Sequence, residues 1–120
     1  MLNIGYNQFY EFDSQWLFFE NLEELNLEHN SIKVFPKEIS KLSNLKTLII
    51  NNNGIETLPE AITSLSKLEL LLLSDNNIEK LPRNISDLKN LKTLILKGNK
   101  ISPQEKVRLK KQLPNCKIYW

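Results

Sequence analysis

The sequence predicts an α/β solenoid, a stack of coils in which short parallel strands alternate with helical returns, and three observations predict it. Four segments align at a constant spacing of 23 residues: LEELNLEHNSIKVFP from Leu22, LKTLIINNNGIETLP from Leu45, LELLLLSDNNIEKLP from Leu68 and LKTLILKGNKISP from Leu91. A fixed period of this length marks a stacked repeat rather than a single globular core. Within each segment two apolar residues alternate with a variable one, as in Leu25-Asn26-Leu27. They therefore share one face of a short strand while the residues between them share the other. Finally, Pro36, Pro59 and Pro82 turn the chain into EISKLSNL, AITSLSKL and NISDLKNL, helical or 3₁₀ returns with Ile39/Leu42, Ile62/Leu65 and Ile85/Leu88 facing inward.

The opening stretch MLNIGYNQFYEF lies one period before the first complete copy. Subtracting 23 places Leu2, Ile4, Asn7, Phe9 and Phe12 on the columns of Leu25, Leu27, Asn30, Ile32 and Phe35, so a first strand is expected over residues 1–4. Trp16 and Phe19 fall on the return columns of Ile39 and Leu42. An asparagine recurs at Asn7, Asn30, Asn53, Asn76 and Asn99, where the chain leaves each strand. Its amide both donates and accepts, so it can pair backbone groups of adjoining coils that burial would otherwise orphan. After Asn99 the pattern changes. Ser102-Pro103-Gln104-Glu105 combines an N-cap serine, a proline at the first helical position and a glutamate at the third, a capping box opening a helix that runs to about residue 113. Val107, Leu109 and Leu113 are expected to cover the last coil while Lys106, Arg108, Lys110 and Lys111 meet water. Pro114 stops the helix. Cys116 and Ile118, 22 residues after Leu94 and Leu96, are then expected on the two inward columns of a closing strand. The predicted organisation is one domain over 1–120: a partial repeat (1–21), three full repeats (22–44, 45–67, 68–90), a final strand and turn (91–101), and a cap of helix and strand (102–120).

These columns resemble the leucine-rich repeat family, and the pattern LxxLxLxxNxIxxLPxxIxxLxxL is similar to its 23-residue class, found in small bacterial proteins and in intracellular Ras-associated scaffolds. The resemblance covers nearly the whole chain. It implies a right-handed β-α superhelix with a concave parallel sheet of about six short strands, helical or irregular segments on the convex face, and a helical C-terminal cap.

With 120 residues, 41% hydrophobic and 25% charged, the chain suits one soluble core. No apolar run approaches the roughly 18 residues of a membrane span, and no basic start precedes an apolar segment in residues 1–20. A lone Cys116 makes no internal disulfide and fits a reducing compartment, so a cytoplasmic location is expected. The net charge of +2 conceals an asymmetry. Residues 1–30 hold six acidic side chains and no Lys or Arg, whereas residues 89–120 hold nine basic side chains against Glu105 alone. His29 and Cys116, the single His and Cys, lie in coils at opposite ends of the predicted stack, beyond the roughly 3 Å reach of a nucleophile and base. There is no glycine-rich phosphate loop and no Cys/His metal spacing, and Glu20, Glu23, Glu24 and Glu28 read as a solubilising edge. No enzyme, cofactor or metal is therefore expected.

The strand residues between the leucines form three columns on the opposite face: Glu24, Thr47, Leu70, Thr93; then Asn3, Asn26, Ile49, Leu72, Ile95; then Gly5, Glu28, Asn51, Ser74, Lys97. The middle column changes from amide to aliphatic, so Ile49, Leu72 and Ile95, with Leu70 beside them, form an apolar strip between polar residues. Apolar residues also simply suit strands and support one another across them. The expected function is a non-enzymatic scaffold binding another protein through Asn26, Glu28, Ile49, Asn51, Leu70, Leu72, Ser74, Ile95 and Lys97. Two other readings stand beside it. One is a capped C-terminal part of a longer array that assembles or dimerises through its first strand, although two acidic ends would repel at low salt. The other is binding of an anionic surface by the basic cap helix, with nucleic acid disfavoured because the basic residues are not interleaved with aromatics.

Overall fold

The computed structural model describes residues 1–120. Six strands, β1 (Leu2–Asn3), β2 (Glu24–Asn26), β3 (Thr47–Ile49), β4 (Leu70–Leu72), β5 (Thr93–Ile95) and β6 (Lys117–Tyr119), form one parallel sheet in chain order. From β1 to β5 the register advances by one period per strand, pairing Leu2 with Leu25, Leu25 with Leu48, Leu48 with Leu71 and Leu71 with Leu94. Parallel neighbours always need a crossover. Here the crossover is a turn, a 3₁₀ return and a second turn, which leaves only about three residues per coil for the strand. The returns are Ser14–Phe18, Lys37–Lys41, Glu60–Ser64 and Ile85–Asp87. Pro36 and Pro59 enter theirs with φ of −73° and −68°, the values that the pyrrolidine ring imposes.

Each complete coil sends seven apolar side chains inward. In the coil over 45–67 these are Leu45, Leu48, Ile50, Ile55, Leu58, Ile62 and Leu65, all fully buried except Leu58. The asparagine column binds the coils together. Asn53 Nδ2 donates to the carbonyls of Leu27 (3.0 Å), Ile50 (3.3 Å) and Asn51 (3.1 Å), and its Oδ1 accepts from Ile32 N (3.0 Å). Asn76 repeats the pattern one coil on, donating to Ile50, Leu73 and Ser74 and accepting from the Asn53 and Ile55 amides.

The first coil departs from expectation on the return side. Trp16 is buried, edge-on to Phe9 and Phe12, but Phe19 is 53% exposed rather than inward like Leu42. Asn7 and Phe9 are exposed as well. A column is fully covered where a coil lies on both sides, and within these residues the first coil has a neighbour on one side alone.

The cap departs in three ways. Helix α1 (Pro103–Gln112) buries Glu105, Leu109 and Leu113, four residues apart on one face, so Val107 points away at 55% exposure instead of covering the last coil. Ser102 Oγ accepts from Glu105 N (3.1 Å) as an N-cap should. The reciprocal half of the capping box is absent, because the Glu105 carboxylate lies on the buried stripe and accepts from Leu81 N instead (2.9 Å). Lastly, β6 pairs Ile118 with Leu94, a shift of 24 rather than 22. Ile118 therefore takes the Leu94 column and Trp120 follows toward that of Leu96, while Cys116 precedes the strand. An α-helix advances about 1.5 Å per residue against about 2.0 Å for a 3₁₀ turn, so an α-helical return consumes more chain.

Candidate functional site

The sheet register aligns the outward-facing residues into columns. One runs Glu24, Thr47, Leu70, Thr93, Lys117, and the next runs Asn26, Ile49, Leu72, Ile95, Tyr119. The ladder continues past the strands: His29 N donates to Asn51 O (2.9 Å), Asn52 N to Ser74 O (3.0 Å) and Asp75 N to Lys97 O (2.7 Å), which sets Glu28, Asn51, Ser74 and Lys97 in a third column. The strand centres Leu48, Leu71 and Leu94 are fully buried, whereas Ile49, Leu70, Leu72 and Ile95 on the opposite face are half-buried. All nine residues named from the sequence thus lie together on one surface.

Their roles differ within it. Asn26 is only 7% exposed, its Oδ1 accepting from Glu28 N (2.9 Å) and its Nδ2 donating to Glu28 Oε1 (3.2 Å). It orients the Glu28 carboxylate more than it offers a surface. Asn51 Oδ1 accepts from Ser74 N (2.7 Å) and ties the polar column across two coils. Tyr119, 38% exposed, extends the apolar column beyond Ile95, with Lys97 Nζ 5.9 Å from its ring centroid. Reading β6 two residues out of register hides this tyrosine; the stripe Glu105, Leu109, Leu113 is the signal that the final return is longer.

A further column follows the polar one. Tyr6, His29, Asn52 and Asp75, each one period apart, have φ between 54° and 57°, and Gly98 continues them at 76°. Asn, Asp and Gly are the residues that tolerate this left-handed conformation most readily, so their recurrence at this spacing was a legible sign of a turn. At Gly98 an added Cβ would run into the Asp75 carboxylate, which would have to move to admit it. The Tyr6 and His29 rings stack at 4.2 Å, and Asn52 Nδ2 stands 3.3 Å from His29 Nε2. His29 is exposed and belongs to this ladder.

The cap at the end of the stack is held by an ion pair. Arg108 donates through Nε and Nη2 to the two Glu105 oxygens, each at 2.7 Å, and through Nη2 to Leu81 O (2.9 Å). Burial alone would raise the Glu105 carboxyl, but the hydrogen bonds from Arg108 and the Leu81 amide, with the charges of Arg108 and Lys80, hold it below its ordinary value. Burial pushes the Cys116 thiol up to about 11. No group of three or more His, Cys, Asp or Glu side chains could hold a metal ion.

A stack of coils that presents an aliphatic strip between polar columns defines a solenoid. Residues 1–55 and 43–101 match the family model described as Leucine rich repeat, and the chain belongs to that family. Proteins of the family generally act in protein–protein interaction and are generally non-enzymatic modules. A leucine-rich repeat protein of Leptospira interrogans is similar over 99% of this chain and 30% of its own, at 41% identity and a TM-score of 0.96. An internalin of Listeria monocytogenes shares the fold over 96% of this chain and 32% of its own, with a TM-score of 0.82 at 23% identity. A plant peptide hormone receptor, RGFR1 in complex with RGF2, is similar over 90% of this chain and 18% of its own, at 35% identity and a TM-score of 0.71. The chain spans a third or less of the length of these solved chains. No curated protein matches it. No helix is long and apolar enough to cross a membrane.

Proposed function

We propose that this chain is a non-enzymatic scaffold that binds another protein through the sheet face, with Ile49, Leu70, Leu72 and Ile95 as the apolar anchor. The observation that carries the reading is the half-burial of these four side chains across three adjacent strands, while the leucines on the other face are wholly covered. Burying an aliphatic side chain completely is worth about 1.5–3 kcal/mol, so four that each keep part of their surface in water leave a fraction of that for a partner to gain. Glu28, Asn51, Ser74 and Lys97 alongside them would select by polar complementarity. The peptide hormone receptor solved in complex with RGF2 supports a binding role for a scaffold of this architecture.

Selection of short displayed peptides against the chain tests the proposal. Peptides enriched on the unaltered protein are expected to lose roughly tenfold or more in affinity to Leu72→Glu, at the centre of the strip, and to bind Lys89→Glu, on the return side, unchanged. Enriched peptides indifferent to both Leu72→Glu and Ile49→Glu would overturn it.

A further inference from the structure

The face that carries the aliphatic strip is also polarised in charge along the stack. At β2 its outer columns hold Glu24, exposed, and Glu28, half-buried. On β3 and β4 the same columns hold Thr47 with Asn51 and Leu70 with Ser74, all uncharged. Toward β5 and β6 they hold Lys97 and Lys117, both exposed. No basic side chain sits in these columns at the acidic end and no acidic one at the basic end. The nearby ion pairs Lys46–Glu23 (3.3 Å) and Lys92–Glu69 (3.2 Å) neutralise themselves and leave the polarity standing. Both ends are also positioned, Glu28 by the Asn26 amide at 3.2 Å and Lys97 beside the Tyr119 ring.

The dimensions suit one kind of occupant. Neighbouring strands lie about 4.8 Å apart, so the four spacings from β2 to β6 cover about 19 Å, a distance that an extended segment crosses in about six residues. A folded partner of one net charge would meet like charge at one end, which costs affinity.

We propose that the face binds an extended segment of a partner protein lying across the strands, cationic where it meets Glu24 and Glu28, aliphatic over β3 to β5, and anionic where it meets Lys97 and Lys117. The proposal rests on the sheet-face reading given above and adds the chemistry of the partner to it. The segment would read the polarity by charge at its ends and be held by apolar burial at its centre.

Four blocked peptides of about eight residues, long enough for the six-residue span, test it, each with the same aliphatic centre. One carries lysines at one end and glutamates at the other, one lysines at both ends, one glutamates at both ends, and one serines at both ends. Calorimetric titration at low salt is expected to give the mixed-charge peptide roughly tenfold tighter binding than the others, a margin that shrinks as salt screens the ends. Glu24→Lys, which leaves Glu28 opposed by a lysine and that end neutral, is expected to erase the mixed-charge peptide's advantage over the one with glutamates at both ends, and Lys117→Glu, with Lys97 still in place, its advantage over the one with lysines at both ends. Both side chains are exposed, and circular dichroism checks that each variant is folded. Equal affinity for all four peptides, lost together in Leu72→Glu, would overturn the charge reading while the apolar strip stood. Failure of every peptide to bind would overturn both.

Discussion

Asn53 shows what a single column residue does in this stack. At 3% exposure its amide satisfies carbonyls of two coils and the Ile32 amide, while its own backbone N–H donates to Asn76 Oδ1 (2.9 Å). Asn7 holds the equivalent place in the first coil, but it is exposed and bonds only the Ile4 and Gly5 carbonyls. Removing a partner from a buried polar group costs about 1–3 kcal/mol per group left unpaired, and Asn53→Ala leaves more than one. Urea unfolding is therefore expected to show a loss of about 2–4 kcal/mol for Asn53→Ala and under about 1 kcal/mol for Asn7→Ala. Equal losses would mean that burial does not govern the ladder. The asparagine column was legible in the sequence because its partners lie in its own coil or an adjoining one, at offsets that recur from coil to coil. That Asn26 turns its amide to Glu28 was not, because a side chain on a strand can meet either the sheet or its own chain two residues on.

At the scale of the element, α1 closes the stack through the Glu105–Arg108 pair. Glu105 titrates below its ordinary value of 4.5 in the folded protein. A carboxylate depressed in this way contributes stability that is fully present above its unfolded value and is lost as pH falls through the folded one. The thermal unfolding midpoint should thus fall as pH drops below about 4.5, with this pH-dependent contribution missing in Glu105→Gln. At neutral pH Arg108→Met is expected to cost about 3–5 kcal/mol, since it leaves a buried carboxylate with the Leu81 amide as its main partner. A cost below that of an exposed ion pair, about 1 kcal/mol, would show that the carboxylate reaches water instead. The start of α1 was legible because Ser102 and Pro103 act within one turn. The destination of the Glu105 side chain was not, because Leu81 lies 24 residues away and the choice between it and the N-cap is made by packing.

For the whole molecule, stability in a stack is a sum of coils and of contacts between neighbours, so it should vary along the axis. Leu48 and Leu71 are fully buried, whereas Leu2 and Ile4 are half-buried beside a two-residue strand. Amide hydrogen exchange is expected to be slowest in β3 and β4 and fastest in β1, with the first coil opening before the rest. Uniform protection from β1 to β5 would instead mean that the coils unfold as one unit. The same gradient explains why Phe19 and Leu42, equivalent by column, differ in exposure.

The sequence by itself determined the period, the strands, the buried columns and the surface shared by Ile49, Leu70, Leu72 and Ile95. A repeat allows this because each contact recurs at one spacing, so a column understood once is understood in every coil. The tertiary structure alone decided what happens where the period breaks. The register of β6, and with it the place of Tyr119 beside Lys97, depends on how much chain an α-helical return consumes. The exposure of Phe19 and the pairing of Glu105 with Leu81 depend on which coil lies against each side chain. Local pattern carries neither quantity, since both are set by the geometry of the stack.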